Sequence, residues 1–362
     1  MILPRLIISV VAVFLIAPCF AQAQGKGKGQ PKNAGQLDAQ PAPPTVPLWI
    51  DTHAHLRVPA GQGYSGAVAL AADLTQNARL GTLVLLPQPQ PDPGGNAYDY
   101  SDFANILKNY PGRFSFLGGN LLNQMIARIP ADKVTDTIKA EFAREAAKVL
   151  AAGAAGFGEI SILHLSFFPG HPFQNVPADH PLLLQLADIA VGKIIDIHMA
   201  FYDRDGPRPD GTSDVNPPIL RKNTDGLERL LAHNRGTNIM LAHFGSDVTG
   251  QWSNEASRRL LSANPNLYMS IKLVPPLGNS PLTEQPVAAA WIALIREFPD
   301  RFVIGTDSFF GLGGLTAYTP GPVYRFLMGL PDDVRSKIAW ENAARLYGLP
   351  APGDGGSGSL AK

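Results

Sequence analysis

Residues 193–200 read KIIDIHMA and residues 238–245 read NIMLAHFG. Each is a near-continuous apolar run that closes on a histidine, His198 and His243. Between them TDGLERLLAHN (224–234) carries apolar residues at three-to-four spacing, which predicts a helix with one buried face. A strand apolar on both faces, a helix and a second such strand form the repeating unit of a parallel sheet covered on both sides.

The same unit recurs along the chain. PLWIDTHAH (47–55), GTLVLLPQ (81–88), RFSFLGGN (113–120) and GFGEISIL (156–163) read as strands before it, and NLYMSIKL (266–273) and FVIGTDSFF (302–310) after it. Helix-like stretches lie between them: 66–80, 100–110, 131–152, 179–191, 254–264, 284–298 and 321–330. The clearest is 131–152, with Val134, Ile138, Phe142 and Ala146 on one side. Eight such units in about 300 residues predict an α/β protein built as a (β/α)8 TIM barrel, slightly distorted. A doubly wound open sheet is the alternative, and the period is too irregular for a solenoid.

The chain has 362 residues, 30 basic and 30 acidic, so nothing in its charge suggests nucleic acid or an anionic surface as a partner. Residues 1–23 have the layout of a secretory signal: Arg5, an apolar run from Leu6 to Ala17, and Ala21-Gln22-Ala23 as the cleavage motif. Cys19, the only cysteine, lies inside it, and Pro18 argues against a lipoprotein anchor there. The mature chain then has no thiol chemistry and no cysteine metal site. Residues 24–45 read as a flexible linker, 46–350 as the barrel and 351–362 as a disordered tail. The expected location is the periplasm or the exterior.

In a barrel the chemistry gathers at the C-terminal ends of the strands. The first strand ends in Asp51-Thr52-His53-Ala54-His55, and strand alternation puts His53 and His55 on one face. Glu159 ends GFGE, inside an apolar, glycine-rich run where a carboxylate is costly to bury without a partner. His198 and His243 end the fifth and sixth strands, and Asp307 ends the eighth in VIGTD. Taken singly, each has an ordinary explanation as a core histidine, a capping acid or a bonded carboxylate. Together, four of the eight histidines and two carboxylates fall on one end of the barrel, a donor set that suits zinc and similar divalent ions.

The motifs DTHAH, GFGEI, IDIHMA, LAHFG, IGTDS and ENAARLYGL (341–349) resemble those of the amidohydrolase superfamily, most closely its amidohydrolase-related branch. The resemblance spans about residues 51–349. It implies a distorted TIM barrel, one or two divalent ions (zinc expected, manganese the alternative) and hydrolysis or decarboxylation. It implies that His53, His55 and Asp307 hold a first metal, and that His198 and His243 hold a second or act on substrate. Glu159 stands where a bridging acid or modified lysine is expected, so any bridge is a carboxylate. The hydrolytic reading makes Asp307 general base and then acid, and gives His243, where it is not a ligand, the developing oxyanion. ENAARLYGL is expected to pack as a structural helix, with Asn342 and Arg345 in packing roles.

Substrate contacts are read from position. Arg57, two residues past His55, Lys272 at the end of the seventh strand, and Tyr202 with Asp203 in the long loop 201–218 are candidates. The loop 164–180 holds His164, His171, His180 and three phenylalanines and is expected to line an apolar pocket, its histidines solvated or behind the ligands. His233 is read as a helix C-terminal residue. The leading reading is an exported hydrolase of a small amide, ester, lactone or phosphoester. The alternatives are a mononuclear decarboxylase of a small carboxylic acid and a catalytically silent metal-binding barrel. The expected partner is a small-molecule substrate, with no nucleic acid, no membrane beyond the signal peptide, and homo-oligomerisation left open.

Overall fold

A computed structural model describes residues 42–43, 45–59, 61–89, 98–273, 278–282, 287–314 and 316–352. The signal peptide, most of the linker and all but the first two residues of the tail lie outside the described residues.

The barrel strands are β1 (Trp49–Arg57), β2 (Leu80–Leu85), β3 (Phe114–Phe116), β4 (Gly156–His164), β5 (Ile194–Met199), β6 (Asn238–Phe244), β7 (Leu267–Ile271) and β8 (Phe302–Ile304), the last resuming as β9 (Ser308–Gly311). All neighbours in the ring run parallel. β9, β1, β2 and β3 form one arc, and β8, β7, β6, β5 and β4 the other. Backbone bonds join the arcs at both seams. Ala155 N donates to Phe116 O at 2.9 Å and Gly158 N to Gly118 O at 3.0 Å, while Asp307 N donates to His53 O at 2.9 Å. The Thr52 hydroxyl adds a bond to Ile304 O at 2.9 Å. The ring is an eight-stranded TIM barrel.

Helices follow the strands: α1 (Ser65–Thr75), α2 (Tyr100–Ile106), α3 (Asn120–Arg128), α4 (Asp136–Ala151), α5 (Pro181–Ile189), α6 (Thr224–His233), α7 (Asn254–Ala263), α8 (Ala289–Glu297), α9 (Gly321–Gly329), α10 (Asp332–Ser336) and α11 (Asn342–Tyr347). Two features differ from the sequence reading. The segment 131–152 is not one helix: Ala131–Lys133 is a short 3-10 turn, and α4 starts only at Asp136, with the Thr135 hydroxyl accepting from Ile138 N at 3.3 Å. Val134 therefore stands outside the helix, and the buried face is Phe142, Ala146 and Val149. The helix α3 was not anticipated.

The bottom of the barrel is sealed by apolar packing. Ile50, Val84, Ile194, Met240 and Val303 cluster with Ala343, Leu346 and Tyr347 of α11. Asn342 ties that helix down by donating to Pro299 O and Phe302 O, both at 2.9 Å, and Arg345 donates to Asp300 O at 2.8 Å. The polar strand ends are thus left to the opposite face.

Candidate metal centre

Two glycines make room for the site. A Cβ at Gly305 would run into Ser270 and lie 2.8 Å from the Cβ of His53, so the glycine of VIGTD is what lets the first histidine stand inside the barrel. A Cβ at Gly158 would lie 2.7 Å from the Cβ of Asp196, so the second glycine of GFGE opens space for that acid. Two ligand candidates also sit on left-handed backbone, His243 at φ 69° and Asp307 at φ 55°. Such conformations cost roughly 1–3 kcal/mol each in non-glycine residues. With period two, Met240 faces the barrel interior and His243 would face outward. The left-handed backbone breaks that period and swings the imidazole onto Glu159. At Asp307 the same departure interrupts the expected strand 302–310 between β8 and β9.

The structure brings His53, His55, Glu159, His198, His243 and Asp307 together at the barrel mouth. Glu159 Oε1 lies 2.7 Å from His198 Nδ1 and 2.9 Å from His243 Nε2. Its other oxygen, Oε2, lies 3.4 Å from His55 Nε2 and 3.6 Å from His53 Nε2. Asp307 Oδ1 is 3.2 Å from His55 Nε2. His53 Nε2 and His55 Nε2 are 3.2 Å apart, and His198 Nδ1 and His243 Nε2 are 3.0 Å apart. Among the described residues two groups of donor atoms suit an ion, His53–His55–Asp307 and His53–Glu159–His243. His53, His55 and Glu159 are buried, whereas His198 and Asp307 reach solvent.

The chemistry of this donor set fits a cation. His55 Nδ1 is 3.0 Å from the carbonyl of Leu86, which can only accept, so Nδ1 carries the proton. The remaining lone pair on Nε2 then faces two carboxylate oxygens and another imidazole nitrogen. That arrangement needs a positive charge between the atoms, a proton or a metal. The electrostatics point the same way. Burial would raise the Glu159 carboxyl, but His53, His198 and His243 outweigh it and hold it well below the usual range. Burial would lower His53, yet Asp196 and Glu159 outweigh it and raise the imidazole well above its ordinary value. For Asp307, burial is overcome by Lys272, whose Nζ is 2.5 Å from Oδ2, and by His243 and His55. Burial pushes His243 down to about 3.

Around the group lies a pocket. Leu165, Phe167, Met199, Phe201, Val248 and Trp252 wall it, and His198, His243 and Lys272 also line it. Asp247 lines it too, but its carboxylate is taken up by its own loop, accepting from Thr249 N, Gly250 N and Trp252 N at 2.9–3.1 Å. The other substrate candidates stand apart from this pocket. The Arg57 guanidinium lies over the Phe309 ring, 4.1 Å from its centroid. The Tyr202 ring is buried and its hydroxyl donates to Pro207 O at 2.9 Å. Asp203 pairs with Arg259 at 2.7 Å.

The remaining histidines are all engaged. The His164 ring packs at a tilt against His198 with centroids 4.8 Å apart and faces the carbonyl of Pro172 through Nδ1 at 2.7 Å. His171 packs at a tilt against His164. His180 caps α5, its Nδ1 accepting from Leu182 N at 3.3 Å. His233 ends α6 against Asp188 at 3.0 Å.

Sequence reasoning passed over two acids. Asp51 accepts from His53 N at 3.2 Å, from Thr306 N at 3.0 Å and from the Thr306 hydroxyl at 2.6 Å, clasping the ends of β1 and β8 together. Asp196 is fully buried behind His53, with Oδ1 3.4 Å from His53 Nδ1. Both stand two residues before a site histidine, and that spacing was the available signal.

The sequence matches the family model described as Amidohydrolase over residues 127–349, more than half of the chain. The chain belongs to the amidohydrolase family. The matched stretch takes in Glu159, His198, His243, Lys272 and Asp307; His53 and His55 precede it. This family is metal-dependent. Among curated proteins no match is found. Among solved structures, this amidohydrolase is similar to dihydroorotase from Saccharomyces cerevisiae at 12% identity, covering 84% of this chain and 85% of that one with a TM-score of 0.48. It is similar to 2,6-dihydroxybenzoate decarboxylase from Rhizobium at 12% identity, 82% and 99% coverage and a TM-score of 0.43. It is also similar to amidohydrolase 2 from Bifidobacterium longum subsp. infantis at 13% identity, 84% and 100% coverage and a TM-score of 0.44.

Proposed function

We propose that this amidohydrolase is an exported, metal-dependent hydrolase that uses water to cleave a small amide, ester, lactone or phosphoester. The observation that carries the reading is Glu159, one carboxylate standing between two pairs of histidines, with Oε1 toward His198 and His243 and Oε2 toward His55 and His53. It supports two ions, one held by His53, His55 and Asp307, the other by His198 and His243, with Glu159 shared. Zinc suits these nitrogen and oxygen donors, with manganese the alternative. Ions held there would lower the pKa of a water to about 7 and would polarise a carbonyl or phosphoryl oxygen.

The chain's own groups do the rest. Lys272 fixes Asp307 through Oδ2 and leaves Oδ1 toward the histidines. Held ionised, that carboxylate is placed to take the proton of the attacking water and deliver it to the leaving group. His243, kept neutral by burial, keeps its Nε2 beside Glu159 for the second ion. The apolar walls of the pocket hold the body of the substrate and exclude water.

Lys272 also supports a second reading, a mononuclear decarboxylase, because an ammonium lining the pocket suits a substrate carboxylate. Turnover of lactones, esters, amides, phosphoesters and carboxylic acids by the metal-loaded protein separates the two. Hydrolysis is expected, falling by about 10²–10⁴-fold in Asp307→Asn. Release of carbon dioxide from an acid, with no hydrolysis, would instead establish the second reading. Hydrolysis retained in Asp307→Asn at normal metal content would remove Asp307 as the base.

A further inference from the structure

Asp196 has no part in the scheme above, yet its burial is hard to account for otherwise. It is fully buried on β5, and neither carboxylate oxygen has a hydrogen-bond partner. Its nearest charged neighbour is His53, whose Nδ1 lies 3.4 Å from Oδ1 and itself makes no hydrogen bond. An ion in such a place costs several kcal/mol unless a counter-charge answers it. The chain nevertheless reserves space for it, since any side chain at Gly158 would press on the Asp196 Cβ.

We infer that Asp196 is a positioning residue for the metal position of His53, His55 and Asp307, acting through His53. A carboxylate facing Nδ1 keeps the proton on that nitrogen and leaves the Nε2 lone pair aimed at His55 and Glu159. Cation binding at Nε2 makes the Nδ1 hydrogen more positive, so the attraction to Asp196 grows when the ion arrives. Of the site histidines, His55 is oriented by a neutral carbonyl, and His243 Nδ1 is without a hydrogen-bond partner. The ion held by His53, His55 and Asp307 therefore gains the strongest support, and that position fills before the one of His198 and His243. The inference rests on the reading of this cluster as a metal centre.

The test is equilibrium titration of metal-free protein with Zn²⁺, and separately Mn²⁺, against a competing chelator, comparing wild type with Asp196→Asn, His53→Ala and the double variant. Asp196→Asn is expected to weaken the tighter binding step by about 10–100-fold and leave the weaker step in place. In the His53→Ala background the same change should have no further effect on affinity. Thermal melting of the metal-free proteins supplies a second readout, which shows whether the exchange acts on the fold as well as on the metal. Unchanged zinc affinity in Asp196→Asn overturns the inference, as does an equal loss with and without His53. Lower metal-free stability with unchanged affinity overturns it too, by making Asp196 structural. If wild type takes up no metal, the metal-centre reading itself fails, and that outcome is distinct from the others.

Discussion

His164 shows how a single side chain at the mouth acquires a pH dependence. Burial, with the neighbouring His198 and His171, lowers its imidazole to about 3. The folded protein thus holds it neutral, whereas the unfolded chain protonates it near 6.5. Its contribution to stability is fully present above pH 6.5 and is lost as pH falls toward 3. Two pH units below its ordinary value this amounts to about 2–3 kcal/mol. Wild type is therefore expected to lose melting temperature between pH 7 and pH 4.5, and His164→Gln to lose distinctly less. Parallel slopes for the two proteins would contradict the assignment. The ligand candidates were legible in the sequence because each is a polar residue closing an otherwise apolar run. Asp196 and Asp51 were harder to see. They lie inside those runs, where an acid looks like an interruption, and only the three-dimensional pairing with His53 and Thr306 shows their use.

Elements were legible where an apolar face repeats and obscure where polar residues are buried. The eight strand runs all became strands because both faces of each are covered. The helix α3 escaped notice because its inner face is mixed: Asn120, Asn123 and Gln124 are buried beside Leu122 and Ile126, and Asn123 Oδ1 accepts from Ser161 N of β4 at 2.8 Å. A hydrogen bond to a strand adds there to the hydrophobic contact of Leu122 and Ile126, and apolar periodicity does not register it. The start of α4 was set by the Thr135 cap rather than by the apolar spacing that includes Val134. The anchor of α4 is Phe142, fully buried. Phe142→Ala should cost about 3–5 kcal/mol in chemical denaturation and leave metal stoichiometry unchanged, because α4 supplies no ligand. A loss below about 1 kcal/mol would mean the helix packs on the barrel by other contacts.

At the scale of the molecule, closure of the ring creates the site. His53 and Asp307 belong to the first and last strands, 254 positions apart in a sequence of 362, and come together only because β1 pairs with β9. The order of strands and helices predicted that closure; the left-handed turns at His243 and Asp307 that aim the ligands inward were not predictable from periodicity. With α11 and an apolar plug sealing one end, the polar end is left as the reactive face. The central claim is that this face holds two divalent ions. The most direct measurement is the metal content per chain of protein purified without chelator, with His53→Ala as control. The account predicts close to two ions per chain in wild type and fewer in the variant. No bound metal, even after addition of zinc or manganese, would contradict it.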